Sequence, residues 1–369
     1  MKVLSVCNHP GGVNALLPVL NALGKSNNSV YVITSHYNHT IFKQTRFKAR
    51  YLDALISLKS SLEVLNTFKP NMLLVGTSEP EDQEVGRVES IFIHAAKKNS
   101  IPSVAILDFW SKYRERFSLS SENALDALPN KICVMDEKAK NEMIIKGFSE
   151  ELIIVTGNPH WDKFRLIRKR LDKINLEQIK KTKGIKKNQR IMLFISQPLS
   201  ERDNDKLGYT ELDVLKDIIK LIKQDPTLQD VELWIKPHPR DTISKYDSLM
   251  SKKNQCQLHL ITDEIDIYTL GLIADFIVGI FSMLLIEYAL LGMDVVSYQP
   301  VKSTKNLITL GGRIPLVRKL RELKENLFIQ QSKSVSMSMD FNATDKVLDI
   351  IYETSLDESN HRPLYNNLI

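Results

Sequence analysis

Four stretches of this chain gather residue types that do chemistry. Lys236-Pro237-His238-Pro239-Arg240-Asp241 sets an imidazole between two prolines, with a lysine two residues before it and an arginine two residues after. The prolines pin the backbone, so His238 is presented rigidly, and three potential cations within five residues make a clamp for phosphate oxygens. The bland alternative is a turn histidine. In Gly279-Ile280-Phe281-Ser282-Met283-Leu284-Leu285-Ile286-Glu287, Ser282 is placed to cap a helix whose first backbone N–H groups favour an anion. Glu287 lies inside that apolar helix, where a carboxylate needs a partner, either sugar hydroxyls or an internal salt bridge.

The other two stretches lie near the start. His9-Pro10-Gly11-Gly12-Val13-Asn14 is a two-glycine turn that runs into a helix, where a ligand can approach the backbone closely. It lacks the Gly-x-Gly-x-x-Gly dinucleotide pattern, and His9 reads as a general base, a substrate contact or a turn residue. Asp108 follows the apolar run Ser103–Leu107 and precedes Phe109 and Trp110. A carboxylate partly desolvated by those rings would have a raised pKa and suit proton abstraction; the alternative is a cap or an ion pair with Arg114 or Arg116.

These residues need strands and helices to position them. Strands are predicted at Lys2–Cys7, Ser29–Thr34, Asn71–Val75, Ser103–Leu107, Lys131–Val134 and Ile153–Val155, several of them continuous apolar runs. Helices near Val13–Gly24, Leu58–Phe68, Val85–Asn99 and Glu137–Lys146 alternate with them. After Gly157-Asn158-Pro159 comes a charged helix, Trp161–Lys173, and then the densest basic run, Lys180–Lys187. Alternation resumes with strands Arg190–Ser196, Val231–Lys236, Gln257–Ile261, Phe276–Val278 and Val295–Tyr298, and with helices Glu211–Gln224, Ser244–Ser251 and Met283–Leu291.

Two α/β sets interrupted by a charged stretch predict two Rossmann-like domains facing each other across a cleft, rather than one barrel. The expected division is 1–157, a linker at 158–187, 188–342, and a helix and tail at 343–369. The apolar stretch Leu270–Met293 is long enough to span a bilayer, but it contains Asp275 and Glu287 and is broken at Gly279–Ser282, so it reads as a buried strand and helix.

Composition narrows the function classes. The 369 residues are 43% hydrophobic and 25% charged, which excludes a largely disordered chain. A net charge of +6 is small for this length and argues against a dedicated nucleic-acid binder. It supports mild attraction to phosphorylated small molecules or an anionic membrane surface. Cys7, Cys133 and Cys256 are scattered, with no Cys-x-x-Cys pair, and read as small core residues of a reduced, cytoplasmic protein. There is no metal-ligand spacing, no Gly-x-Ser-x-Gly elbow and no Walker loop.

The His-Pro element after a strand, followed some forty to fifty residues later by a serine-headed helix with an acidic residue, resembles the bacterial glycosyltransferases of the two-Rossmann (GT-B) architecture. Similar families are the capsule and surface-polysaccharide transferases, the CDP-glycerol glycerophosphotransferases and the bacterial sialyltransferases. Thr156-Gly157-Asn158-Pro159, with an aromatic residue and Asp162 after it, is similar to the junction between domains in such enzymes. Met283 stands where those serine motifs commonly carry a second Ser or Thr. Glu81-Asp82 lacks the glycine of the sialyltransferase acidic element. His9-Pro10-Gly11-Gly12 replaces the Gly-Thr-Arg-Pro-Glu turn of the related UDP-N-acetylglucosamine 2-epimerases.

The resemblance implies a metal-independent, inverting transfer of a sugar from a nucleotide-sugar, as substrate and with no cofactor, onto a glycan or lipid-linked acceptor of surface polysaccharide synthesis. The donor side would be formed by Lys236, His238, Arg240, Ser282, Met283, Glu287, Ser196 and Asn158. Gly11, Gly12, Asn14 and Trp110 would meet the acceptor, with Asp108 or His9 taking its proton. Peripheral contact with the membrane face is the remaining expected partner, and nucleic acid is not expected. The alternatives are a 2-epimerase-like isomerase and a non-catalytic nucleotide-sugar-binding protein.

Overall fold

Strands that must be apolar on both faces stack side by side, and the computed structural model arranges them in two all-parallel sheets, of seven and six strands. It describes residues 1–52, 56–78, 87–120, 124–202, 207–250, 257–262, 265–301, 314–330 and 341–361. Glu81, Asp82 and Cys256 lie outside these, as do Val85 and Gly86 of one predicted helix. The chain divides into two compact units, Met1–Lys163 with Asp340–Ile369, and Phe164–Met339.

The first unit runs β1 (Lys2–Cys7), α1 (Pro10–Lys25), β2 (Ser29–Ser35), α2 (His39–Lys43), β3 (Ala49–Leu52), α3 (Leu58–Phe68), β4 (Met72–Val75), α4 (Val88–Lys98), β5 (Ser103–Ile106), α5 (Tyr113–Arg116), β6 (Lys131–Val134), α6 (Glu137–Ile145) and β7 (Ile153–Val155). Its sheet order is β3-β2-β1-β4-β5-β6-β7, so the winding reverses between β1 and β4. Every residue of β4 and β5 is buried. The six predicted strands fall within a residue of those observed, and the sequence reading missed β3, a short polar strand at the sheet's edge.

The second unit opens with α7 (Phe164–Leu171) and α8 (Leu176–Thr182), in the stretch read from sequence as a linker. It continues with β8 (Arg190–Ile195), α9 (Leu199–Arg202), α10 (Glu211–Gln224), β9 (Val231–Lys236), α11 (Asp247–Met250), β10 (Leu258–Leu260), α12 (Ile267–Ile273), β11 (Phe276–Gly279), α13 (Met283–Leu290), β12 (Val295–Tyr298), β13 (Leu316–Val317) and α14 (Leu320–Gln330). The order β10-β9-β8-β11-β12-β13 reverses between β8 and β11. Leu270–Met293 is the end of α12, then β11 and α13; among the described residues no helix is long and apolar enough to cross a membrane.

The last helix, α15 (Ala343–His361), belongs to the first unit, where Val347 and Ile351 join the core of Val13, Leu16 and Val104. Asp162 fixes its start by accepting the N–H groups of Ala343 at 3.0 Å and Thr344 at 2.7 Å. Gly157, at φ +87°, makes room for it, since a Cβ there would lie 3.1 Å from that of Ala343. The Thr156–Asp162 segment therefore serves the seating of the C-terminal helix.

Candidate active site

In parallel α/β sheets, ligands bind beyond the carboxyl ends of the strands where the winding reverses. In the second unit that address holds the ends of β8, β9 and β11, which carry Ser196, the Lys236–Asp241 loop and Ser282. Asp241 organises it. Its Oδ2 accepts the His238 backbone N–H at 2.8 Å and the Tyr246 hydroxyl at 2.6 Å, and its Oδ1 accepts Lys245 Nζ at 2.7 Å. Lys245 also pairs with the buried Glu211 at 2.7 Å. Burial alone would raise the Asp241 carboxyl, but the bonds from Lys245, Tyr246 and the His238 N–H outweigh it and hold the group below its ordinary range.

Because the single Tyr246 proton goes to Asp241, Ser196 Oγ donates to the tyrosine oxygen, at 2.6 Å. His238 Nδ1 accepts the Arg240 backbone N–H at 3.1 Å, so the neutral ring carries its proton on Nε2 and presents a donor there. The loop is thus held from beneath by a carboxylate, and its prolines complete the constraint.

Ser282 caps α13 as its sequence position predicts, its Oγ accepting the Leu284 N–H at 3.3 Å. The half-buried first turn, Ser282–Leu284, leads into buried Leu285 and Ile286. Glu287 has a partner that neither sequence reading supplied: Tyr268 of α12 donates its hydroxyl to Oε2 at 2.9 Å. Tyr268 is in turn braced edge-on against Phe164, ring centroids 5.7 Å apart.

In the first unit the reversal brings together the ends of β1 and β4, with β5 beside them. Asp108 is an ion-paired residue: Arg116 Nη1 lies 3.1 Å from Oδ1, with Arg116 buried and Asp108 16% exposed. Thr77 donates to the same oxygen at 3.5 Å. Oδ2 rests against Gly11, in space a Cβ at that position would need. A protein carboxylate therefore already lies at the positive start of α1, where sequence reasoning placed a ligand anion. Under the turn lies Glu89 of α4, unremarked in the sequence. Its Oε1 accepts the Asn8 N–H at 2.7 Å and the Ser78 hydroxyl, and Ser78 accepts the His9 N–H at 3.1 Å. Glu89 Oε2 is buried with no partner. Burial raises the Glu89 carboxyl above its ordinary range, opposed incompletely by the Ser78 and Asn8 bonds.

The predicted residues thus fall into two groups. Lys236, His238, Arg240, Ser196, Ser282, Met283 and Glu287 lie at or beside the carboxyl edge of the second sheet, and His9, Gly11, Gly12, Asn14 and Asp108 at that of the first. Within these groups several serve the fold. Ser196 is 1% exposed and acts through Tyr246. Lys236 Nζ reaches the Ile261 carbonyl at 3.4 Å. Gly12 is buried against Cys7, whose Sγ would stand 2.7 Å from a Cβ there. Trp110, expected at the acceptor, is 4% exposed, stacked on Trp161 and donating its indole N–H to Asp136 at 3.0 Å. Asn158, expected at the donor, is a buried turn residue of the first unit whose Oδ1 accepts the His160 N–H. Cys7 and Cys133 are free, buried thiols, and burial pushes Cys133 up to about 12. No cluster of three or more His, Cys, Asp or Glu suited to a metal ion exists among the described residues.

Two Rossmann-like units, each with its reversal point dressed by polar side chains, give the chain a GT-B-type fold. Residues 138–304 match the family model of CDP-glycerol:poly(glycerophosphate) glycerophosphotransferase. No curated protein matches the chain. Among solved structures it is similar to UDP-GlcNAc 2-epimerase from Neisseria meningitidis bound to UDP-GlcNAc, at 20% identity and TM-score 0.64 over 96% of this chain and 100% of that one. It is similar to S. aureus MnaA in a co-structure with UDP (16%, TM-score 0.66, 98% of each chain). Acinetobacter baumannii MurG gives 13% identity and TM-score 0.61 over 95% of this chain and 99% of that one.

Proposed function

We propose that this chain transfers a nucleotide-activated sugar or polyol phosphate to a glycan or lipid-linked acceptor in surface polymer synthesis. The observation that carries the reading is the coincidence of the matched segment, 138–304, with the Asp241-held His238 loop and the Ser282-capped helix at the reversal point of the second sheet. His238 Nε2–H, Arg240, Lys236 and the N–H groups opening α13 from Met283 take the donor's phosphates. Glu287, already holding the Tyr268 hydroxyl, takes a ribose or sugar hydroxyl. Asp108, oriented by Arg116, accepts the acceptor's proton, with His9 as the other candidate base. As the acceptor oxygen attacks, the bond to the leaving nucleotide breaks and its negative charge settles on these donors, a stabilisation that needs no metal.

The test incubates the purified chain with nucleotide-sugars and CDP-glycerol in the presence of lipid-linked and glycan acceptors, and identifies the released nucleotide. A nucleoside diphosphate with loss of donor marks glycosyl transfer, and CMP from CDP-glycerol marks glycerophosphate transfer. The solved relatives favour a second reading, isomerisation of UDP-GlcNAc at C2, which would give the epimer without net loss of sugar nucleotide. Nucleotide binding with no turnover on any pair would leave only a binding protein.

A further inference from the structure

The basic run Lys180–Lys187 plays no part in either sheet edge. Together with α7 it concentrates the chain's positive charge: residues 164–190 hold eleven Lys and Arg against Asp172 and Glu177, while the whole chain is only +6, so the rest is net acidic. In α7, Phe164 and Leu171 are buried in the unit, and Arg165, Leu166, Lys169 and Arg170 are exposed. Leu166 is 67% exposed, with Lys169 and Arg170 on its own side of the helix three and four residues on.

Three cations of the segment are spent on structure: Arg170 with Asp266 at 3.0 Å, Lys180 with Asp275 at 3.8 Å, and Arg190 with Asp230. Arg165, Lys169 and Lys173 have no acidic partner among the described residues. The same holds for Lys181, Lys183, Lys186 and Lys187, all exposed. Unpaired cations beside a bare aliphatic side chain on one helix, with further unpaired lysines in the segment that follows, suit a surface that is anionic outside and apolar just beneath.

We propose that α7, with the exposed lysines that follow it to Lys187, binds an anionic lipid bilayer, with Leu166 entering the headgroup boundary and the exposed cations meeting lipid phosphates. A nucleic acid fits less well. Leu166 gains nothing on a sugar-phosphate backbone, and residues 165–190 contain no aromatic ring to stack on a base. The proposal goes beyond the transferase reading by giving the second unit a membrane-facing surface, and its test reads no turnover, so either can fail alone.

The full chain is sedimented with vesicles of phosphatidylglycerol and phosphatidylcholine, and with phosphatidylcholine alone, at about 0.05 M and 0.5 M salt. Binding is expected only to the anionic vesicles, falling at least about tenfold at the higher salt. Lys169→Gln with Lys173→Gln should weaken it about 30-fold, at roughly fivefold per cation. Leu166→Ser should weaken vesicle binding several-fold while leaving retention on heparin unchanged. These positions are exposed, and unaltered melting of each variant confirms that folding is not at issue. Absence of binding to anionic vesicles at low salt overturns the proposal. So does vesicle binding indifferent to Leu166→Ser and matched by retention on heparin, which would make this a polyanion surface.

Discussion

The two sheets reverse their winding at equivalent places, beside β1 and beside β8, yet the two edges are dressed in opposite ways. In the second unit the carboxylate is the support: Asp241, its side chain without exposed surface, gathers three donors and so presents an imidazole, an arginine and a helix start. In the first unit the carboxylate is the presented group: Asp108 keeps an exposed face while buried Arg116 holds it from behind. A second acid, Glu89, is sealed beneath the turn. On the proposed function, the same topological address serves to receive an anion or a proton according to whether the buried partner is a carboxylate or a guanidinium.

Asp108→Asn should break the first edge with the largest effect. Asparagine still accepts the Arg116 hydrogen bond but neutralises the carboxylate paired with that buried guanidinium, so stability should fall by about 1–3 kcal/mol, while loss of the general base should lower kcat by about 10²- to 10⁴-fold in the transfer assay. Activity within a few-fold of wild type would transfer the role to His9. Asp241→Ala attacks the support of the second edge. It should cost about 2–3 kcal/mol in denaturant unfolding, below the 3–5 typical of a broken buried pair because Lys245 keeps Glu211. Nucleotide affinity should fall with it. His238→Ala should do the converse: the flanking prolines and Asp241 keep the loop, and the loss of one hydrogen bond to phosphate should weaken nucleotide binding about ten- to a hundredfold, with melting little changed.

Acid titration sharpens the contrast, because the two buried acids carry opposite signs. The lowered Asp241 carboxyl contributes stability that is present above its ordinary value of 3.8 and is lost as pH falls through the lower folded value. The raised Glu89 carboxyl does the reverse: above 4.5 the unfolded chain releases its proton first, so stability declines as pH rises toward the folded value. Unfolding curves from about pH 2 to 8 should therefore show a smaller acid-side drop in Asp241→Asn, where other lowered carboxylates such as Asp225 keep theirs, and a smaller decline with rising pH in Glu89→Gln. Parallel curves for both variants would refute the contrast. The smallest expected effect is that of EDTA, which should leave transfer intact; activity restored only by magnesium or manganese would contradict an edge that balances phosphate charge with its own donors.

The fold was legible because strands covered on both faces leave unbroken apolar runs, as at Met72–Val75 and Ile191–Ile195. What escaped had no such mark. Ala49-Arg50-Tyr51-Leu52 is an edge strand with an exposed arginine, and Leu176–Thr182 is a helix whose lysines disguised it as linker. Within the site, His238 announced itself through its prolines and Ser282 through its place before an apolar helix. Asp241 stood in the same motif, but its role depends on Tyr246 and, through it, on Ser196, fifty residues away from the tyrosine. Glu89 lay in an amphipathic helix, and one of its partners, Asn8, is 81 residues distant. Roles defined by long-range contacts leave no local signature.

The most direct test of the anion-receiving edge is calorimetric titration of the wild-type chain and His238→Ala with UDP, CDP, GDP, dTDP and CMP, at matched folded stability. One nucleotide should bind wild type and bind the variant about ten- to a hundredfold more weakly. Binding of equal strength in both proteins, or no binding of any nucleotide to wild type, would contradict the assignment of this edge to the donor.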